Sequence, residues 1–161
     1  MPLQTNEILY RIQQALNLTL EQMLEAYALA NYPMQKAHLE SLLKRRQDKG
    51  FHLCSYEELG VFLDGLILLK RGPSPKKTNE DEVVELTNNL ILKKLRIALE
   101  LKEPETEIIF NLADLFPTKQ ELKSLFRKEG HKNFKPCSDA LLLAFLEGLA
   151  EFCYTDESEV Q

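Results

Sequence analysis

Apolar residues recur along this chain at the three-and-four spacing of an α-helix, and no stretch alternates as a half-buried strand would. Ile8, Leu9, Ile12, Ala15 and Leu16 form one apolar stripe and predict a helix over Asn6–Asn17. Thr19-Leu-Glu-Gln22 has the form of a capping box, in which hydroxyl and amide side chains cover free N–H groups, so a second helix runs from there to about Asn31. Pro33 suits the first turn of a third helix, which carries Leu39, Leu42 and Leu43 and closes on Lys44-Arg45-Arg46 before Gly50. Ser55-Tyr-Glu-Glu58 is a second capping box, opening a helix with Leu59, Phe62, Leu63, Leu66 and Ile67 inward. Four further helices are predicted at about Glu82–Leu101, Pro104–Leu115, Thr118–Glu129 and Ser138–Tyr154, the third capped by Thr118-Lys-Gln-Glu121.

The second set of helices copies the first. A shift of 83 positions lays Asn6–Leu69 on Asn89–Phe152 without a gap, and 21 of the 64 aligned pairs are identical. The expected fold class is therefore all-α, two tandem pseudo-symmetric four-helix repeats sharing a core, with the last helix of each at the centre. The repeats span residues 1–71 and 83–154. A polar, proline-bearing linker over 72–82 joins them, and an acidic tail over 155–161, without apolar periodicity, is expected to fray.

Two recurrent features have structural readings. Cys54 and Cys137 each precede the serine that caps a last helix, at the position of a hydrophobic staple to Leu59 and Leu142. Gly65 and Gly148 lie inside apolar helices, where glycine costs roughly 1 kcal/mol against alanine. That cost, carried twice, predicts close helix approach, and places the two Phe-Leu-x-Gly-Leu helices against each other near a pseudo-twofold axis.

Composition changes this picture little. Forty-four per cent apolar and 28 per cent charged residues mark an ordinary folded protein. The apolar stretches near Val61–Leu69 and Ala140–Ala150 are broken by Asp64, Gly65, Glu147 and Gly148, well short of the roughly 20 residues a membrane span needs. No basic segment followed by an apolar one opens the chain, so no signal peptide is expected. Three cysteines without a C-x-x-C pair fit reduced thiols in a cytoplasmic protein.

The stretches Asn88-Asn-Leu-Ile-Leu-Lys-Lys-Leu-Arg-Ile-Ala-Leu99 and His131-Lys-Asn-Phe-Lys-Pro-Cys137 resemble the YehS-like bacterial proteins. So do Phe62-Leu-Asp-Gly-Leu-Ile-Leu-Leu-Lys-Arg-Gly72 and the Phe-Leu-x-Gly-Leu motif of both halves. The resemblance covers nearly the whole chain. It implies a small cytoplasmic protein with a duplicated domain of unknown function, and no substrate, cofactor or catalytic residue.

Charge supplies the candidate chemistry. The net charge is −5, yet basic positions recur at Arg11/Lys94, Lys36/Lys119, Lys44/Arg127, Arg45/Lys128 and Lys49/Lys132. Lys36–Lys49 holds five positive residues against two negative, and Lys119–Lys135 six against two. One reading is a pair of anion-binding segments. The other is cationic helix ends that complement the dipole and stay solvated. Tyr10, Tyr27, Phe110 and Phe126 fall on apolar faces and read as core, so they do not interleave with the basic set as single-strand binding requires. His52 and Cys54 are spaced unlike His131 and Cys137, and neither set supplies four metal ligands. His38 reads as an exposed helix residue. Ser55 and Ser138 are caps without a histidine repeated beside them, and no G-x-G loop is present.

These residues favour binding over catalysis, with no catalytic residue, metal or cofactor. The expected role is a regulatory or adaptor module for a protein partner, acting through Lys44, Arg45, Lys49, Arg127, Lys128 and Lys132. Binding of RNA or DNA is the first alternative, and an enzyme with a pocket between the repeats is the second. No membrane partner is expected, and a homodimer through Ser138–Tyr154 is open.

Overall fold

The computed structural model describes residues 3–73 and 85–159. Among these the chain is all-helical, with eight helices and no strand. They are α1 (Thr5–Leu16), α2 (Leu20–Leu29), α3 (Lys36–Leu42), α4 (Tyr56–Arg71), α5 (Asn88–Ala98), α6 (Glu103–Leu112), α7 (Lys119–Leu125) and α8 (Asp139–Glu159). Most of the predicted linker, residues 74–82, and the last two residues of the tail lie outside the described residues.

The helices gather into two compact units that do not follow the sequence repeat. Thr19–Glu100 forms one, holding α2, α3, α4 and α5. Met1–Leu18 and Leu101–Gln161 form the other, holding α1, α6, α7 and α8. Each unit takes its last three helices from one repeat and its first from the other. In the continuous unit α4 packs against α2 and α5, and in the split unit α8 packs against α1 and α6. The last helix of a repeat is thus the central one of its unit.

Each core is built on equivalent residues. Phe62 meets Tyr27 at 5.6 Å between ring centroids, and Phe145 meets Phe110 at 5.4 Å. The stripe of α5 (Ile91, Leu92, Leu95, Ala98) is buried in one unit and that of α1 (Ile8, Leu9, Ile12, Ala15) in the other. Even the left-handed backbone recurs, at Asn17 and Glu100 and again at Asn31 and Asp114. An ion pair marks each exchange: Arg11 Nη1 lies 3.8 Å from Glu147 Oε1, and Lys94 pairs with Asp64. These are the same two repeat positions, joined each time from one repeat to the other.

The glycines permit close approach within each unit. A Cβ on Gly65 would fall 1.9 Å from the carbonyl oxygen of Ala26 on α2, and one on Gly148 would fall 1.9 Å from that of Ile109 on α6. Each last helix is pressed onto the second helix of its own repeat. The expectation that these glycines serve a crossing of α4 with α8 is corrected accordingly: each absent side chain makes room for a neighbour's backbone within one unit.

All three predicted capping boxes are present, at Thr19, Ser55 and Thr118. Cys54, Cys137, Leu59 and Leu142 are buried, as the staple reading requires. Other helix limits shift. Glu85–Thr87 are not helical, because the Thr87 hydroxyl accepts the Leu90 N–H at 3.2 Å and starts α5 at Asn88. Nothing in the sequence breaks α8 at Tyr154, and it continues through five positions of the tail to Glu159. The third helices are short, ending at Leu42 and Leu125 rather than near Gly50 and Glu129.

Candidate functional site

The short third helices relocate the basic residues. Lys36 and Lys119 open α3 and α7. Lys44, Arg45 and Lys49 lie on the α3–α4 loop, and Arg127, Lys128 and Lys132 on the α7–α8 loop, all exposed. Lys44 and Arg127 directly follow the C-caps Leu43 and Phe126, within reach of the negative end of the helix dipole, whereas Arg45, Lys49, Lys128 and Lys132 lie further along the loops. The structure brings each group of three together on one loop of one unit.

The two loops share a backbone scaffold. Asp48 N–H donates to Arg45 O at 2.9 Å, and His131 N–H to Lys128 O at 3.0 Å. Phe51 N–H donates to Asp48 O, and Phe134 N–H to His131 O. His52 N–H then reaches back to Ser41 O at 3.1 Å, as Lys135 N–H does to Ser124 O at 3.0 Å. Side chains reinforce the turns, through Arg45 N–H to Asp48 Oδ2 (3.1 Å) and Asn133 N–H to His131 Nδ1 (3.0 Å). Lys44 Nζ donates to Lys49 O at 3.0 Å, which folds this cation along its own loop.

Beside the α3–α4 loop stands a polar group that sequence reasoning missed. Glu58, buried at the start of α4, serves its capping box through Oε1, which accepts Ser55 N–H at 2.9 Å. Its Oε2 lies 2.6 Å from His38 Nε2 on α3. His38 is therefore a half-buried partner of a carboxylate, not the solvated helix residue expected. The His52 ring packs edge-on against it, with centroids 4.9 Å apart. Below them the buried Tyr27 hydroxyl donates to Glu58 O at 3.0 Å. Burial alone would raise the Glu58 carboxyl, but the Ser55 N–H and the His38 ring hold it below the usual carboxylate range. Burial, and then the nearby Glu58 charge, push the Tyr32 phenol up.

The equivalent positions of the split unit carry other residues. The positions of Tyr27, His38, His52 and Glu58 are Phe110, Glu121, Lys135 and Leu141 there. Glu121 and Lys135 form an ion pair at 3.8 Å. Comparison of the aligned repeats held the signal, since these substitutions cluster in space although they are scattered in sequence.

The remaining candidates resolve as structure. Ser138 caps α8, accepting Leu141 N–H at 3.1 Å. Burial raises the Cys137 thiol to about 12, which makes it a poor nucleophile. Among the described residues no three of His, Cys, Asp and Glu stand together as a metal-binding group. Tyr27 and Phe110 are core, as expected. Tyr10 is not: it is 47 % exposed and lines an open groove of about 360 Å³ between α1 and α8, with Arg11 and Glu147. Phe126 is only half-buried. The split unit also exposes Ile108 and Leu112 on the outer face of α6, and Leu115 and Phe116 just beyond it, with Phe116 75 % exposed. No helix among the described residues is long and apolar enough to cross a membrane.

This architecture defines a duplicated all-α protein whose repeats trade their first helices. The model of a family described as a protein of unknown function, DUF1456, matches residues 5–72 and again 88–153. The chain belongs to that family. It is 32 % identical over 146 residues to the uncharacterized protein YehS of Escherichia coli (strain K12), covering 91 % of this chain and 94 % of that one. No solved structure matches it.

Proposed function

We propose that this protein is a non-catalytic binding module of the cytoplasm, meeting an acidic surface of a protein partner through its two basic loops. Lys44 and Arg45 on the α3–α4 loop, and Arg127 and Lys128 on the α7–α8 loop, make the principal contacts, with Lys49 and Lys132 beside them. One observation carries this reading: the basic residues stand beyond the ends of α3 and α7, on loops held by the same three backbone hydrogen bonds in both units. Arg45, Lys49, Lys128 and Lys132 stand past the residues that follow the C-caps, where a cation kept only to complement the helix dipole gains less. A stiff loop presents charge with less entropy to lose on binding.

The exposed apolar set at Ile108, Leu112, Leu115 and Phe116 favours a protein over a nucleic acid, because a phosphate backbone offers it nothing. Three cysteines that form no disulfide with one another agree with a reducing compartment. The test is capture from native cytoplasm by wild type and by a Lys44→Glu, Arg45→Glu, Arg127→Glu, Lys128→Glu variant, with and without nuclease. We expect a protein that survives nuclease, weakens as salt rises and is lost with the variant, whose melting temperature should match wild type within a few degrees. Capture that disappears with nuclease identifies a nucleic-acid binder instead. Capture indifferent to both salt and charge reversal refutes the basic-loop reading.

A further inference from the structure

We infer that the outer face of α6 is a docking surface for a basic amphipathic helix of a protein partner. The inference goes beyond the basic loops and concerns other residues of the split unit. Ile108 and Leu112 stand one turn apart on that face, 47 % and 36 % exposed, and Phe116 just beyond them is 75 % exposed. Single apolar residues scattered over a surface are ordinary, whereas a row of them marks a contact.

The local structure holds this row in place. Asp114 takes the left-handed conformation at φ 62°, and the N–H groups of Asp114 and Leu115 donate to Asn111 O and Phe110 O, each at 3.0 Å. Two positions after Phe116, Thr118 opens α7 with a capping box. The apolar positions of those two turns are Leu115 and Pro117, so neither turn needs the Phe116 ring. The first repeat carries Glu25 and Pro33 where the second has Ile108 and Phe116. The fold therefore forms without this row.

Charge decides what covers it. Residues 103–118 carry four carboxylates, Glu103, Glu105, Glu107 and Asp114, and no lysine or arginine. Their equivalents in the first repeat are the uncharged Leu20, Gln22, Leu24 and Asn31. Among the described residues none of the four carboxylates is in an ion pair. Glu103 and Glu105 lie in the first turn of α6, where the helix dipole favours them, but Glu107 and Asp114 do not. By helical position Glu105 and Glu107 fall on opposite sides of the Ile108–Leu112 row. A second copy paired through the same face would set these carboxylates against one another, and a phosphate backbone or an anionic bilayer would be repelled. A helix with lysine or arginine beside an apolar stripe meets both features at the same one-turn spacing.

The experiment uses the full chain and two synthetic peptides of equal length and composition. One places leucines on one helical face and lysines on the other, and the second has the same residues scrambled. At low salt, by fluorescence anisotropy, we expect the first to bind about tenfold tighter than the second. Ile108→Ser with Phe116→Ser should erase that preference. Should the double variant unfold, Phe116→Ser alone should still reduce it. Glu105→Gln with Glu107→Gln should weaken binding of both peptides and lessen its dependence on salt. The Lys44→Glu, Arg45→Glu, Arg127→Glu, Lys128→Glu protein should keep the preference, so this result stands apart from the basic-loop reading. Equal binding of the two peptides, or a preference that survives the serine substitutions, overturns the inference. Self-association of wild type in the ultracentrifuge that is lost with Ile108→Ser and Phe116→Ser assigns the face to a second copy, and overturns it too.

Discussion

Gly65 and Gly148 are the positions where single atoms decide the most. A methyl group at either would overlap a carbonyl oxygen of α2 or α6, and backbone cannot swing aside as a side chain does. Gly65→Ala and Gly148→Ala should each cost about 2 kcal/mol or more. For a chain of this size that lowers the melting temperature by about 4 °C or more, measurable by calorimetry. An unchanged melting temperature would show that the helices slide apart freely. Glu58 gives a second prediction at this scale. Its carboxyl is depressed in the folded state, so it contributes stability above the ordinary carboxylate range and loses it as pH falls through that range. Denaturant midpoints should therefore fall further from about pH 5 to about pH 3 in wild type than in Glu58→Gln. Equal slopes would mean that the His38 and Ser55 bonds do not favour the ionised form.

At the scale of elements, each first helix is held by an apolar stripe and one cross-repeat ion pair. Arg11 sits between Glu7, one turn earlier on α1, and Glu147 on α8, both partly exposed. Such pairs are worth little singly, but their pairing reports which helices are neighbours. A double-mutant cycle on Arg11 and Glu147 should give a coupling of about 0.5 kcal/mol, and one on Arg11 and Asp64 should give none. The reverse result would place α1 in its own repeat. This pairing is not legible in the sequence, because α1 and α5 carry equivalent stripes and equivalent cations. Either helix satisfies either socket chemically. The capping boxes, in contrast, are legible because each is closed by residues three positions apart. The short third helices lie between these cases. Asp48 in the first repeat and Gly130 in the second are turn signals, but where α3 and α7 stop depends on loop bonds back to Ser41 and Ser124.

For the whole molecule, the duplicated sequence and the compact unit are different divisions of one chain. A fragment of residues 19–100 contains every helix of its unit and should unfold cooperatively by circular dichroism. A fragment of residues 1–72 carries α1 with its buried stripe but not the α6 and α8 that cover it. It should associate or expose that stripe to hydrophobic dye. If instead 1–72 is a stable monomer and 19–100 is unfolded, the exchange of helices is wrong. The candidate site is distributed in the same uneven way. Its lysines and arginines are visible as charge runs, since exposed loops need no tertiary partner to be basic. The His38–Glu58 contact is invisible from sequence, because those residues stand 20 positions apart and only the packing of α4 on α2 and α3 on α2 brings them together.

The sequence by itself determined the helical class, the duplication, the three capping boxes and the need for glycine at positions 65 and 148. All of these rest on short-range spacing or on identity between repeats. Tertiary structure alone decided which neighbour each glycine admits, which repeat supplies each first helix, and that a histidine and a buried carboxylate meet beside one basic loop. Two nearly equivalent repeats offer every surface a choice of partners. Periodicity fixes the face a helix buries, and only the path of the chain fixes what it is buried against.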